Sequence, residues 1–140
     1  MPSPADIKPP FTLETATAKM KGAEALWNTR DPDKVVLAYS EDTEWRNRDV
    51  FLKGREEIRA FLKAKWTREL DYRLEKTLFI FVENKIAVQF MYECRTSDDQ
   101  WWRSYGIEHW TFNDDGLMTT RTASVSDVEI DEADRRLIAP

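Results

Sequence analysis

Histidine, cysteine and glycine are scarce in this chain, and each shortage argues against a class of site. Among the 140 residues there are one histidine, one cysteine and four glycines. Without HxxxH or CxxC spacing we expect no metal site, and so few glycines leave little room for a phosphate-cradling loop. Cys94 lies in the apolar run IAVQFMYEC, which favours a buried, inert thiol over a nucleophile. The sequence therefore predicts a protein without a cofactor.

Long apolar runs and a surplus of positive charge are also missing. No segment approaches the ~20 apolar residues that a membrane span requires, so we expect no membrane partner. The net charge of −5 argues against a nucleic-acid partner, because phosphate binding depends on a surplus of Lys and Arg. The N-terminal MPSPADIKPPF lacks the apolar core of a secretory signal, so the cytoplasm is the expected compartment.

The composition predicts one globular domain. Hydrophobic residues make up 41% of the chain and charged residues 34%, and this balance is typical of soluble domains that build their own core. Residues 1–11 are rich in proline and predict an extended N-terminal arm that docks through Phe11. Apolar residues at spacings of three and four then predict helices over 12–28, 32–39 and 55–70.

The second half of the chain predicts strands. Residues 42–50 are too charged for a core strand and are interpreted as a short strand followed by a loop. Beyond the third helix, apolar residues alternate with polar ones between turn sequences such as Asn113-Asp114-Asp115-Gly116. This pattern predicts four long antiparallel strands, over 72–82, 86–95, 100–112 and 117–128. A charged C-terminal tail follows over 131–140.

The predicted strand over 100–112 is unusual because both of its faces carry large aromatic side chains. In a regular strand, successive side chains point to opposite faces. One face then holds Trp101, Arg103, Tyr105, Ile107 and His109, and the other holds Trp102, Ser104, Gly106, Glu108, Trp110 and Phe112. We expect one face to line a pocket and the other to face outward or a second subunit; the sequence leaves open which face does which.

Two stretches carry a resemblance to a known superfamily. They read YSEDTEWRNRDVFLKGREEIRAFL and WWRSYGIEHWTFNDDGLM, and with the order of elements they resemble SnoaL-like members of the nuclear transport factor 2 superfamily over residues 12–130. The resemblance implies an α+β cone in which three N-terminal helices pack on a strongly curved, mostly antiparallel sheet. It also implies a pocket open at one end and, as in many members, a homodimer.

The catalytic hypothesis involves three residues. Members of the superfamily use a carboxylate near the pocket to move a proton next to a carbonyl group. In this sequence Asp49 is one of the carboxylates nearest to the position that the resemblance implies for that group. His109 is the side chain whose unperturbed pKa lies nearest neutrality, so His109 or Asp49 is the candidate acid or base. Tyr105 is a candidate donor to a substrate oxygen. The alternative is that His109 is a structural or surface residue.

Arginines and aromatic residues supply the candidate ligand-binding set. Guanidinium groups bind carboxylates through two parallel hydrogen bonds, and aromatic rings form the apolar lining typical of small-molecule pockets. The candidates are Trp45, Arg46, Asn47, Arg48, Trp66, Tyr92, Trp102, Arg103 and Arg121. For each of them, a cross-strand ion pair or simple packing is the alternative interpretation.

Two functions remain open from the sequence. The first is a small-molecule-binding protein, with or without activity as a cofactor-independent isomerase, dehydratase, cyclase or hydrolase, whose ligand is a small organic anion or carbonyl compound. The second is a non-catalytic module for ligand binding or dimerisation. Fold alone cannot decide between them, because one fold supports many functions.

Overall fold

Three helices and one six-stranded sheet make up the part of the chain that the structure, a computed structural model, describes: residues 6–137. In chain order the elements are α1 (Leu13–Asn28), α2 (Pro32–Val35), β1 (Tyr39–Asn47), β2 (Val50–Lys53), α3 (Arg55–Arg68), β3 (Leu70–Val82), β4 (Lys85–Arg95), β5 (Trp101–Phe112) and β6 (Met118–Ile130). A 3-10 turn over Val36–Ala38 extends α2, and another covers Glu132–Asp134.

The starts of the first two helices are confirmed. The Thr12 hydroxyl accepts a hydrogen bond from the backbone N–H of Thr15, which satisfies a donor that the first turn of α1 leaves open. The Asp31 carboxylate caps α2 in the same way, with Pro32 at the first helical position. The second helix is much shorter than predicted, because Tyr39 already pairs with β6 as the first residue of β1.

The sheet is curved and has the order β2-β1-β6-β5-β4-β3. Only β1 and β6 run parallel to each other, and the other neighbouring pairs are antiparallel. The α+β class and the four long strands are therefore confirmed. Two details differ from the prediction: the third helix follows two strands, and the predicted loop after β1 is the edge strand β2. Most of β2 is exposed, so it lacks the alternation that reveals a strand.

The helices cover one face of the sheet, which we call the inner face. Large apolar side chains from both layers, such as Ile58 and Leu62 of α3 and Val88 of β4, are fully buried there. On β5 it is the even-numbered side chains that point inward, with Trp110 and Phe112 in the apolar core. The aromatic strand thus presents the face with Trp102, and not the face with His109, to the interior.

Helix α1 also closes the edge of the sheet. Edge strands expose unpaired backbone groups, and β3 is such a strand. The Asn28 amide donates to the backbone oxygen of Leu74 at 2.9 Å and accepts from its N–H at 2.8 Å. One turn earlier, Glu24 accepts from the backbone N–H of Lys76 at 3.0 Å. These bonds fix the part of β3 that carries Leu74 and Lys76 against α1.

Both ends of the described chain pack on the domain. At the N-terminal end, the ring of Phe11 meets Phe112 edge-on at 5.1 Å between centroids, as predicted; residues 1–5 of the predicted arm lie outside the described residues. At the C-terminal end, Glu93 and Arg103 form a buried ion pair on the outer face at 2.8 Å. The backbone N–H groups of Arg136 and Leu137 donate to Glu93, so the C-terminal segment covers this pair.

Among residues 6–137, no helix is both long enough and apolar enough to cross a membrane.

Replacing Asn28 with alanine should destabilise the fold, because both backbone groups of Leu74 then lose their partner. With about 1 kcal/mol for each hydrogen bond, we expect a loss of about 2 kcal/mol in the free energy of unfolding, measured by urea denaturation. Asn28→Asp keeps the acceptor and loses the donor, so it should give an intermediate value. A change below about 0.5 kcal/mol for Asn28→Ala would show that this edge contributes little.

Candidate functional site

A cavity of about 450 Å³ lies between the inner face of the sheet and the helices. Because strand side chains alternate, inward-pointing residues of β3 to β6 reach it, and α1, α3 and the β1–β2 segment supply most of the remaining wall. Its polar lining comes from Asn47, Arg48, Lys65, Arg68, Glu69, Tyr72, Lys76, Tyr92, Cys94, Thr96, Trp102, Ser104, Glu108, Arg121 and Asp127. The apolar lining includes Trp27, Val50, Phe61, Leu74, Phe90 and Val125.

The inner end of the cavity holds a buried ion cluster. Glu108 is only 1% exposed, and its two carboxylate oxygens accept hydrogen bonds from different cations. Lys76 donates to one oxygen and the Arg121 guanidinium to the other. Arg121 also donates to the Asn47 side-chain oxygen at 3.1 Å. Two positive groups and one negative group therefore meet in the interior.

Strand register explains how these three residues meet. Glu108 sits on β5 opposite Val88 of β4 and Ala123 of β6, and these small neighbours leave room beside the carboxylate. Lys76 reaches it from β3 and Arg121 from β6, so the two cations approach from opposite sides. The cluster is thus built from three strands: β5 and β6 are consecutive in the sequence, and β3 is separated from β5 by β4.

Aromatic rings surround the two cations of the cluster. The Lys76 ammonium lies 5.1 Å from the Phe90 ring centroid and 5.3 Å from that of Trp110. The Arg121 guanidinium carbon lies 4.8 Å and 4.5 Å from the ring centroids of Trp27 and Trp45. Cation–π attraction replaces part of the hydration that burial removes. This gives the cluster an apolar surround and a low-dielectric setting.

Burial and charge pull the pKa values of this cluster in opposite directions. Burial by itself would raise the pKa of Glu108, but the charges of Arg121 and Lys76 and their hydrogen bonds lower it to about 2. For Lys76, burial lowers the pKa, the neighbouring Arg121 charge adds to this effect, and Glu108 opposes it. Glu108 is therefore a fixed negative charge, which makes it a weak base.

A second group of charges lies nearer the surface. The Arg48 guanidinium donates two hydrogen bonds to the Asp127 carboxylate, at 2.6 and 2.8 Å, and Ser104 donates to the same carboxylate at 2.6 Å. Burial opposes ionisation of Asp127, but the hydrogen bonds from Arg48 and Ser104 lower its pKa. Arg48 also donates to the Tyr92 hydroxyl at 3.4 Å. The backbone of Arg48 has a φ of 58°, because this residue lies in the tight turn between β1 and β2.

Helix α3 and its C-terminal cap residue Glu69 contribute a third group of charges. Lys65 donates to both oxygens of Glu69, at 2.9 and 3.1 Å, and its ammonium lies 4.2 Å from the Tyr92 ring centroid. Arg68 approaches Glu69 from the solvent side at 3.4 Å. The Cys94 thiol also lines the cavity, and burial raises its pKa to about 12. A thiol with so high a pKa is a poor nucleophile, as the sequence predicted.

Positive charge exceeds negative charge in the cavity wall. Five basic side chains line it, Arg48, Lys65, Arg68, Lys76 and Arg121, against three acidic ones, Glu69, Glu108 and Asp127. The wall therefore carries two excess positive charges, although the whole chain has a net charge of −5. Such an arrangement attracts anions and stabilises negative charge that develops on an oxygen atom.

Five residues of the predicted site line this cavity: Asn47, Arg48, Tyr92, Trp102 and Arg121. Two others lie behind its wall. Trp45 supports Arg121, and Trp66 packs edge-on against Trp27 and Tyr72.

The remaining predicted residues lie elsewhere. His109 and Tyr105 are exposed on the outer face, because odd-numbered residues of β5 point away from the helices. Arg103 is on that face too, paired with Glu93. Asp49 is exposed in the turn after β1, and the Arg46 guanidinium donates to the Arg48 backbone and to Ser124.

Of the three residues in the ion cluster, only Arg121 belongs to the site predicted from the sequence. Lys76 and Glu108 lie on strand faces shared with apolar residues, and neither is a predicted site residue. A charged residue within an otherwise apolar strand face is the pattern that could have identified them. Glu69 and Asp127 carry no such pattern, since each directly follows another polar residue.

Within residues 6–137, no three His, Cys, Asp or Glu side chains come together in a group that could hold a metal ion.

Comparison with known proteins gives a family but no activity. A family model described as "Protein of unknown function (DUF1348)" matches residues 9–138. Curated protein sequences give no match.

Solved structures share the fold at low sequence identity. The epoxide hydrolase/cyclase-like enzyme SalBIII, described in pyran ring formation in the polyether salinomycin, is 13% identical; the match covers 81% of this chain and 92% of that chain, with a TM-score of 0.72. An NTF2-like protein of unknown function from Burkholderia pseudomallei K96243 is 18% identical, with coverages of 79% and 90% and a TM-score of 0.71.

A SnoaL-like protein of unknown function from Burkholderia thailandensis E264 is 17% identical over 84% of this chain and 98% of that chain, with a TM-score of 0.67. These matches confirm the resemblance to SnoaL-like and nuclear transport factor 2-like proteins at the level of the fold.

The low pKa of Glu108 predicts acid-sensitive stability. The folded-state pKa lies below the unfolded one, so the unfolded chain takes up this proton first and acidification favours unfolding. A change from 4.5 to about 2 corresponds to about 3 kcal/mol, present above pH 4.5 and lost as the pH falls towards 2. Glu108→Gln should therefore be less stable than wild type at pH 7, with a difference that shrinks over this interval.

Urea denaturation at a series of pH values measures this difference. Glu75→Gln, an exposed carboxylate on the same sheet, controls for the loss of one charge. A difference between Glu108→Gln and wild type that stays constant from pH 7 to pH 2 would contradict the charged cluster.

Proposed function

We propose that this chain, which belongs to the family of proteins of unknown function DUF1348, binds a small organic anion or carbonyl compound in its cavity. The observation that carries the proposal is the excess of positive charge in the cavity wall of an acidic protein. A cavity without a binding role would have an apolar lining, because burying charges that bind no ligand is costly.

The cavity residues divide the work of binding. The basic groups would hold an acidic group of the ligand, and the Asn47 amide and the Tyr92 hydroxyl would orient a neutral oxygen. Phe61, Trp102 and Val125 would contact its apolar body. In this proposal the curved sheet and the helices form the cone-shaped pocket that the resemblance implies. A cytoplasmic location stays a prediction.

If the ligand reacts, electrostatic stabilisation is the chemistry that this site supports best. Lys76 and Arg121 converge in a buried, aromatic surround, where they would stabilise an enolate or alkoxide oxygen. Such a role fits isomerisation, dehydration or cyclisation, and also the hydrolase and cyclase likeness of SalBIII. The lowered pKa values of Glu108 and Asp127 make both carboxylates weak bases.

Binding without catalysis is the second candidate function. It is favoured by the position of His109, which lies on the exposed face of β5 and outside the cavity. Asp49 is exposed as well. In this alternative the ion cluster holds a ligand or fixes the shape of the pocket, and the outer face of the sheet serves dimerisation.

We also propose a homodimer formed through the outer face of β5 and β6. Ile107 is 54% exposed there, beside the exposed Tyr105 and Val128. These side chains lie on neighbouring central strands, where a second copy would bury them together with Thr122 and Ser126. Exposed apolar and aromatic groups surrounded by polar side chains are typical of interfaces.

Lys76→Met should weaken ligand binding, because it removes one cation from the inner end and leaves Glu108 paired one-to-one with Arg121. We expect at least a tenfold loss of affinity for small carboxylates and keto acids, measured by calorimetry after a thermal-shift screen. His109→Ala, outside the cavity, should bind like wild type. The proposal fails if none of these compounds stabilises wild type, or if Lys76→Met binds them equally well.

Ile107→Asp should convert the dimer into monomers, because a charge would be buried at the centre of the interface. Sedimentation equilibrium gives the mass directly. Ala64→Asp, an exposed position on α3, makes the same charge change away from this face and should leave the dimer intact. A wild-type protein that is monomeric at every concentration would contradict this proposal.

A further inference from the structure

We infer that the ligand carries two anionic groups, one bound at each end of the cavity and joined by an apolar segment. This inference rests on the proposed function and names its ligand class.

The charged residues form two separate sets. The inner set is the buried cluster of Lys76, Arg121 and Glu108. The outer set comprises two ion pairs and one further cation, which are Arg48 with Asp127, Lys65 with Glu69, and Arg68 beside Glu69. The hydrogen bonds between these residues stay within each set.

Each set has one more base than acid. The inner set has two cations and one carboxylate, and the outer set has three cations and two carboxylates. A ligand with one acidic group would therefore leave one set with an uncompensated charge. The inner set in particular has little access to water, so compensation by a ligand carboxylate is worth more there. A ligand with two acidic groups neutralises both sets.

The β5 strand gives the distance between the sets. Ser104 bonds to Asp127 and so marks the outer set, and Glu108 marks the inner one. They are four residues apart on one strand, which places their backbones roughly 14 Å apart at about 3.4 Å per residue. A ligand that reaches both sets is therefore elongated.

The wall between the sets is apolar. Midway along β5, Gly106 pairs with Phe90 on one side and Val125 on the other, and both of these side chains line the cavity. A Cβ atom at Gly106 would overlap the Phe90 ring, so the glycine lets this ring lie flat against the sheet. Leu74 of β3, which lies opposite Tyr92, also lines the cavity next to this stretch. An aliphatic or aromatic segment fits this stretch.

The chemistry that matches these three features is a dicarboxylic acid, or a keto diacid, of medium chain length. Short diacids cannot span the two sets, and monoacids satisfy only one. Arg68 is the residue to replace, because its side chain is 62% exposed and contacts Glu69 at the end of α3. Its replacement removes the excess charge of the outer set with little effect on folding.

The test is calorimetric titration with succinate, adipate, suberate and sebacate, each beside a monocarboxylate of the same carbon number. For wild type we expect affinity to rise with diacid length, with suberate or sebacate at least tenfold tighter than its matched monoacid. Arg68→Gln should bring the diacids to within about threefold of the monoacids. Lys63→Gln, an exposed lysine of α3 outside the cavity, should behave like wild type.

The outcomes separate this inference from the proposal beneath it. If monoacids and diacids bind wild type equally, or if Arg68→Gln keeps the preference for diacids, the two-anion ligand is wrong while anion binding in the cavity stands. If neither kind of acid binds, the proposed function fails as well.

Discussion

The interaction between Glu108, Lys76 and Arg121 is the constraint around which this domain is arranged. Three ionised groups in the interior lose their hydration, and only their mutual attraction and the aromatic rings around them offset that loss. Each of the three residues comes from a different strand. Their charges therefore neutralise one another only when β3, β5 and β6 pair in the correct register. Packing of α1 through Trp27 and of β1 through Trp45 then completes the same centre.

The ion cluster also explains why the inner end of the cavity is polar. A carboxylate shared by two cations keeps both of them fixed in position, which is what a preorganised anion site requires. Of the two outer ion pairs, Lys65–Glu69 is buried as well, whereas Arg48–Asp127 is partly exposed, so water weakens its attraction. The two ends of the cavity therefore differ in how far water reaches their charges.

The secondary structure could be predicted from the sequence where one local rule decides, and the site could be predicted only in part. Thr12, Asp31 and Pro32 identify helix starts by capping chemistry alone, and alternation separates the two faces of β5. Which of those faces points inward depends on packing against helices far away in the chain. That is why the sequence could suggest His109 as readily as Glu108. The edge strand β2 was missed for a related reason, because exposed residues follow no burial period.

The position of β6 in the sheet has a consequence for the order in which the chain folds. This last long strand lies between β1 and β5, so β1 and β2 cannot join the rest of the sheet until β6 has been synthesised. During synthesis the early hairpin must wait for almost the whole chain, and a pairing of such wide sequence separation closes slowly. The hairpin of β3 and β4, by contrast, pairs residues close in sequence and can form first. Assembly of the ion cluster is thereby a late event, completed when Arg121 arrives.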